Sequence, residues 1–159
     1  MEKRFSIDEA RKKIRRYCAY QERAHREVRE KLFSYGLSAN EVDQVVVELI
    51  EEGFLNEERF ARAFVGGKFR IKKWGRLKII QGLETKGVST GCIKLALTEI
   101  DEQAYVQTLS GILKKQHAAL DEPNIYVRRD KLSKFAIQKG FESDLVWKMI
   151  RELFPDGKQ

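Results

Sequence analysis

Proline and cysteine are scarce in this sequence, which has two of each among 159 residues. With proline only at positions 123 and 155, little in the chain interrupts long helices. Cys18 and Cys92 stand alone, without C-x-x-C spacing and without a histidine close by in sequence. This pattern disfavours a metal site or a disulfide and predicts two buried thiols in a reducing cytoplasm.

Long hydrophobic runs are also missing. No apolar segment approaches the roughly 20 residues that a membrane-spanning helix needs. The N-terminal sequence MEKRF contains no apolar core of a secretory signal. We therefore expect a cytoplasmic protein that contacts no membrane.

Motifs for catalysis are absent as well. His25 and His117 are isolated, and the sequence has neither a G-x-x-x-x-G-K-[ST] phosphate loop nor a G-x-S-x-G nucleophile elbow. Paired carboxylates at 51–52 and 57–58 lie at expected helix ends, where capping and dipole effects explain them. The sequence predicts a protein that is not an enzyme and that needs no cofactor or metal ion.

One glycine-marked unit recurs three times along the chain. Gly36, Gly87 and Gly140 are 51 and then 53 residues apart. After each glycine, apolar residues follow at +1, +6, +9, +10 and +13, and all fifteen of these positions are apolar. This rhythm of three and four residues predicts an amphipathic helix that is entered through a glycine corner and repeated three times.

Alternating β-branched patterns are nearly missing, so the chain is predicted to be all-α. Ser6 and Ser38 each open a capping-box sequence, and Asn56 is a good N-cap residue, so these positions mark helix starts. We predict nine helices in three tandem three-helix repeats that form an elongated, curved strip. The predicted repeats cover residues 1–53, 54–100 and 101–159.

The first helix of the second repeat is predicted to run past residue 70. Alternating spacings of four and three place one set on its inward face: Phe60, Phe64, Gly67, Ile71 and Trp74. Trp74 and Phe69 could stack on nucleotide bases, although we favour Trp74 as a side chain that closes the core. The pair Gly66-Gly67 indicates a bend or, more often, a closely packed neighbouring helix.

Positive charge is concentrated in the middle of the chain. The net charge is +7, and residues 54–100 contribute +6 of it through 10 basic and 4 acidic side chains. No acidic residue occurs in the 25 positions between Glu58 and Glu84. We take the basic residues of this segment as candidate contacts with a partner or a nucleic acid: Arg59, Arg62, Lys68, Arg70, Lys72, Lys73, Arg76 and Lys78.

Two interpretations of this basic segment stay open. It is a solvated helix face, or it binds phosphates or a cluster of carboxylates. Arg76 and Lys78 favour an anionic partner, because they lie at a predicted helix start, where a cation is mildly unfavourable unless an anion is bound. The basic residues of the first repeat alternate with acidic ones and predict a salt-bridged surface.

Several short motifs carry a resemblance to a known family. Residues 55–65 read LNEERFARAFV, residues 74–75 read WG, residues 83–88 read LETKGV, and residues 27–32 read EVREKL. On these motifs the chain resembles the RecX family of recombination regulators over essentially its whole length. The match is specific in the second repeat, fair in the first and mostly architectural in the third. The family often has serine where Ala24 stands, so the usual side-chain cap is not expected there.

The resemblance implies a cytoplasmic bacterial protein that binds the RecA recombinase, above all its nucleoprotein filament on single-stranded DNA. It implies a regulator of homologous recombination, DNA repair and the SOS response. Such a protein modulates, and mainly inhibits, ATP hydrolysis and strand exchange by RecA without chemistry of its own. We expect a monomer that meets single-stranded DNA mainly through the filament.

Two other functions stay open at this stage. A tandem helix-turn-helix-like protein would act directly on DNA, but such a protein needs Arg, Asn or Gln along an exposed helix face, and residues 89–100 offer only Lys94 and Thr98. A pure adaptor would bind its partner without touching nucleic acid, and its binding would be insensitive to salt.

Overall fold

The computed structural model describes residues 4–155, and this range contains nine helices and no strand. The helices are α1 (Ile7–Tyr20), α2 (His25–Ser34), α3 (Ala39–Glu51), α4 (Glu57–Arg70), α5 (Arg76–Thr85), α6 (Thr90–Leu97), α7 (Glu102–Ala119), α8 (Ile125–Gln138) and α9 (Ser143–Leu153). The prediction of an all-α fold is confirmed. Within the described range, every helix is too short or too polar to cross a membrane.

Local capping signals place the first helices of the chain. The Ser6 hydroxyl accepts a hydrogen bond from the Glu9 N–H at 3.2 Å, and the Glu9 carboxylate accepts one from the Ser6 N–H at 3.1 Å. Asn56 Oδ1 accepts from the Arg59 N–H at 2.8 Å at the start of α4. Ala24 has no side-chain cap, as expected, and the Glu27 carboxylate accepts from its N–H at 2.9 Å instead.

The three marker glycines are left-handed helix ends. Gly36, Gly87 and Gly140 have φ values of 91°, 78° and 101°, a region in which a side chain is strained. After Gly140, the Phe141 N–H donates to the Ala136 carbonyl at 3.2 Å, which closes the end of α8. Of the fifteen apolar positions that follow these glycines, Leu97 and Leu153 are half-buried and the others are buried.

The chain forms two compact units. One contains the residues up to Phe64 together with Leu83–Ala96, and the other contains Val65–Gly82 together with the residues from Leu97 onward. The boundaries 1–53, 54–100 and 101–159 stay a prediction. The core of the first unit is an apolar cluster from α1, α2 and α3. Ile14, Val28, Leu32, Val42 and Leu49 are its almost fully buried centre.

Ion pairs between α1 and α3 flank this first core. Arg11 forms two hydrogen bonds of 2.9 Å with the Glu48 carboxylate, and Arg15 pairs with Glu52 in the same manner at 2.9 and 3.0 Å. The hydrogen bond from Arg11 holds the pKa of Glu48 below its ordinary value. The predicted salt-bridged surface is confirmed: these pairs join two helices, and Arg11 Nη1 also pairs with Asp8, one turn earlier in α1, at 2.9 Å.

Aromatic rings fill the centre of the second unit. Tyr105 is fully buried, and its ring centroid lies 5.9 Å from that of Phe69 and 5.1 Å from that of Phe141. Leu109, Leu113 and Leu132 complete a core that joins α7 and α8. The Tyr105 hydroxyl donates to the Glu142 carboxylate, so the one polar atom of this side chain has a partner.

The predicted inward face of α4 is wrong after Phe60. The buried face passes through Val65 and Phe69, so Phe64 and Gly67 are only half-buried and Ile71 is 78% exposed. Phe69, considered above as a surface platform, is buried against Tyr105. Trp74 is half-buried.

Of the two predicted reasons for the glycines of α4, the favoured one, a closely packed neighbouring helix, is wrong. A Cβ on Gly67 would meet no atom within 4 Å, and one on Gly66 would meet the side chain of Arg70. No neighbouring helix therefore packs closely against this pair.

One of the two thiols is not buried as predicted. Cys18 lies in the first core, and burial raises its pKa to about 11. Cys92 is half-buried because it lies in the first turn of α6 beside the Glu57 carboxylate. The hydrogen bond with Glu57 raises the pKa of the Cys92 thiol.

Candidate partner and nucleic-acid interface

The basic residues predicted from the sequence fall into two groups. Arg59 and Arg62 belong to the first unit, and both are engaged with carboxylates. Arg59 Nε lies 2.6 Å from Glu22 Oε2, and its Nη2 donates to the Gly53 carbonyl at 2.9 Å. Arg62 Nη2 donates to Glu58 at 2.8 Å. Part of the charge of these two residues is therefore compensated within the protein.

The other six candidates lie in the second unit. Arg70, Lys72 and Lys73 are exposed beside one another, and no carboxylate of residues 4–155 forms a salt bridge with them. They lie at the end of α4 and directly after it, so three positive charges are close together at the corner where this helix ends. This corner is the part of the predicted site that is most accessible to an anionic partner.

Trp74 sits among lysines in this unit. The Lys68 ammonium lies 4.8 Å from the indole centroid and the Lys78 ammonium 4.6 Å from it. Such cation–π contacts are each worth about 0.5–1 kcal/mol at exposed sites. The arrangement keeps both cations near the exposed corner while it holds the indole against the protein.

Arg76 has a structural environment that differs from that of its neighbours. Its guanidinium lies 3.8 Å from the Tyr105 ring centroid, and it pairs with the carboxylates of Glu142 and Glu102. Its backbone N–H donates to the Tyr105 hydroxyl at 3.0 Å. Burial by itself would lower the pKa of Arg76. The hydrogen bonds to Glu142 and Glu102 outweigh this effect, so the pKa of Arg76 is raised. The anion expected at this helix start is thus supplied by the protein itself.

Replacing Arg76 with methionine is expected to lower the free energy of unfolding by about 1–3 kcal/mol, because the half-buried Glu142 loses its charged hydrogen bond. Arg70→Met is the matched control, since Arg70 is exposed in the same basic segment, and it should change stability by less than about 0.5 kcal/mol. Urea unfolding followed by circular dichroism measures both. Equal midpoints for the two variants would contradict a structural role for Arg76.

The sequence did not point to two basic features that the structure reveals. Lys139 donates from Nζ to the Lys72 carbonyl at 3.3 Å, which brings a lysine of the predicted third repeat to the basic segment. Burial and the charges of Lys78 and Lys73 lower the pKa of Lys139. No short sequence motif signals this convergence, because it depends on a contact across 67 positions.

The second such feature is a basic and aromatic face on the first unit. Tyr20 is 83% exposed at the end of α1, and the Arg23 guanidinium lies 3.6 Å from the Tyr17 ring centroid. Lys13 and Arg16 are exposed on the same side of α1. Their spacings of three and four residues are the signal that could have found this face.

Within residues 4–155, no group of three or more His, Cys, Asp or Glu side chains is placed to hold a metal ion.

Comparison with known proteins gives a consistent result. The family model described as "RecX, second three-helix domain" matches residues 56–97, the stretch that contains the basic segment. The regulatory protein RecX of Prosthecochloris aestuarii is 31% identical over 137 residues, which cover 86% of this chain and 88% of that protein. The chain belongs to the RecX family. Relatives in this family are named as regulatory proteins.

Other RecX proteins differ in length from this one. The RecX of Halalkalibacterium halodurans is 31% identical over 140 residues, but the chain spans 51% of its length. The crystal structure of RecX from Lactobacillus salivarius has a TM-score of 0.84 at 22% identity, covering 92% of this chain and 96% of that one. A second RecX crystal structure has a TM-score of 0.83 at 21% identity. These two structures show that the RecX fold is shared.

Proposed function

We propose that this protein regulates homologous recombination and DNA repair by binding the RecA recombinase in its nucleoprotein filament. It modulates, and mainly inhibits, the ATPase and strand-exchange activities of RecA. The observation that carries the proposal is membership of a family of regulatory proteins, over most of the length of relatives such as that of Prosthecochloris aestuarii. In this proposal the protein acts as a monomer in the cytoplasm, where filaments form on chromosomal DNA, and it catalyses no reaction itself.

The exposed corner at Arg70, Lys72 and Lys73 supports an anionic partner surface. A run of 25 positions without an acidic residue, in a chain that is otherwise nearly balanced, attracts phosphates or acidic protein surface from a distance. Arg76 contributes through the fold of the second unit, because its guanidinium is committed to Glu142 and Glu102. Binding at this corner is expected to weaken as salt is raised.

The test is a titration of the single-stranded-DNA-dependent ATPase of the cognate RecA with this protein, beside a binding assay on the same DNA without RecA. We expect ATP hydrolysis to fall at protein concentrations that leave bare DNA unoccupied. An unchanged ATPase together with tight, salt-sensitive binding to bare DNA would contradict the proposal. That result would favour the second candidate, a helix-turn-helix-like protein that acts directly on DNA.

A further inference from the structure

A cavity of about 400 Å³ lies in the second unit, between α7, α8 and the segment that follows α4. Three lysines line it, Lys73, Lys115 and Lys139, and none of its lining residues is acidic. Its volume falls within the range of about 300–1,000 Å³ that is typical of small-molecule sites.

The positive charge of the cavity is not compensated by neighbouring carboxylates. Lys73 and Lys78 act on Lys139 strongly enough to lower its pKa, after the larger effect of burial. Four carboxylates of this unit are engaged elsewhere: Glu102 and Glu142 with Arg76, Glu122 with Lys131, and Asp130 with Lys134. Like charges gathered in a half-enclosed space repel one another, and an anion from solution would relieve this repulsion.

The backbone holds one of these lysines in an unfavourable conformation. Lys73 has φ of 56°, the one positive value among the non-glycine residues that the structure describes. Its loop is fixed by neighbouring contacts, because Trp74 N–H donates to the Lys68 carbonyl at 3.0 Å and Lys139 Nζ to the Lys72 carbonyl at 3.3 Å. A left-handed residue other than glycine costs on the order of 1 kcal/mol and is frequent at binding sites. Here it keeps Lys73 beside the cavity and beside Lys139.

The remaining residues that line the cavity suit a ligand with a flat ring that has polar groups at its edge. Ile112 and Phe135 provide an apolar floor, and the Lys139 ammonium lies 6.0 Å from the Phe135 ring centroid. Gln107, Thr108 and Gln116 add side-chain donors and acceptors. Gly111 leaves space in the wall of α7, since a Cβ there would meet nothing within 4 Å.

We propose that this cavity binds a nucleotide, with its phosphate at Lys73, Lys115 and Lys139 and its base against Ile112 and Phe135. An acidic peptide could satisfy the lysines but would leave the apolar floor uncovered, and for this reason we favour the nucleotide. The ligand is either a free nucleotide or one unit of a single-stranded DNA. The site needs no recombinase, so it goes beyond the proposed function and is tested separately from it.

The experiment measures fluorescence anisotropy of a dye-labelled single-stranded oligothymidylate titrated with the full chain at low salt, with AMP, inorganic phosphate and polyglutamate as competitors. Lys115→Gln with Lys139→Gln removes charge from the cavity. Gly111→Leu fills the cavity while it leaves the net charge unchanged. Lys114→Gln with Lys134→Gln is the matched control, because both lysines are exposed on the two helices that border the cavity, α7 and α8, and neither lines it.

We expect both cavity variants to weaken oligothymidylate binding at least tenfold, and the control to stay within twofold of the parent protein. AMP should compete better than inorganic phosphate, because the base adds contacts with the floor. Thermal melts verify that each variant is folded. If Gly111→Leu does not fold, Gly111→Met and the double lysine variant serve the same comparison.

Three results would overturn the proposal. Equal weakening by the control would show binding to net charge alone, and parent-like binding of both oligothymidylate and AMP by the folded Gly111 variant would show that the cavity stays empty. Stronger competition by polyglutamate than by AMP would indicate an acidic peptide. AMP affinity distinguishes a free nucleotide from a unit of single-stranded DNA. If the cavity variants lose AMP binding but keep oligothymidylate binding, the cavity binds free nucleotides and not the DNA strand.

Discussion

Replacing Gly75 with alanine is expected to lower the free energy of unfolding by more than about 3 kcal/mol, because a Cβ there collides with the backbone of another segment. Such a Cβ would lie closer than 3.0 Å to Gly140 C and to Phe141 N. These are backbone atoms, which cannot move aside as the end of a flexible side chain can. The segments are also tied together, since the Gly75 N–H donates to the Lys139 carbonyl at 2.8 Å and the Leu77 N–H to the Gly140 carbonyl at 2.9 Å.

The measurement is urea or thermal unfolding of the variant, with Gly67→Ala as the matched control. Gly67 lies in α4, and a Cβ there would meet nothing within 4 Å, so alanine should be neutral or stabilise the protein by up to about 1 kcal/mol. For a chain of this size, 3 kcal/mol corresponds to a fall in the melting temperature of about 6–12 °C. Equal stability of the two variants would refute the close contact at Gly75.

Reversing the charge of Arg70, Lys72 and Lys73 to glutamate is expected to weaken binding to the RecA filament at least tenfold, or about 1.4 kcal/mol. These three residues are exposed beside one another, and they account for the most accessible part of the basic segment. Their reversal replaces attraction to phosphates or acidic protein surface by repulsion. Arg76 is left unchanged, because its loss would damage the fold rather than report on binding.

The matched control reverses three exposed basic residues of the first unit, Lys12, Lys13 and Arg16, and so changes the net charge by the same amount. Binding is measured by co-sedimentation with filaments or by inhibition of the ATPase, at two salt concentrations. Losses that are equal in the two triple variants would reject the basic segment as the principal contact. A loss confined to the control would instead assign binding to the basic and aromatic face of the first unit.

Helix ends in this protein were predictable because they depend on contacts a few residues apart. The capping boxes at Ser6 and Ser38 and the left-handed glycines at 36, 87 and 140 fix where helices start and stop, and the structure has them where the sequence places them. Extrapolation of the helical rhythm failed in α4, because the rotation of a helix about its axis depends on tertiary packing. The buried face of α4 passes through Val65 and Phe69, where Phe69 contacts Tyr105, and not through Gly67 and Ile71.

The sequence predicted which segment of the chain holds the candidate site. It did not predict which basic residues of that segment form an accessible surface. The absence of acidic residues from 59 to 83 is visible in the sequence. Which of its cations are accessible is not visible there, because their partners are distant: Arg59 pairs with Glu22, across 37 positions, and Arg76 with Glu142, across 66. Lys139 joins the segment across 67 positions, and no local pattern signals it.

The sequence by itself therefore determined the all-α class, most helix boundaries, the family and the region of positive charge. The all-α class, the helix boundaries and the region of positive charge depend on local hydrogen bonding, on side-chain periodicity or on composition, whereas the family rests on the resemblance of short motifs to known proteins. The tertiary structure alone decided that Phe69 is core, that Arg76 pairs with Glu102 and Glu142, and that Lys73, Lys115 and Lys139 share one cavity. These outcomes depend on which distant side chains meet, and that is set by the packing of the helices against one another rather than by any neighbouring residue.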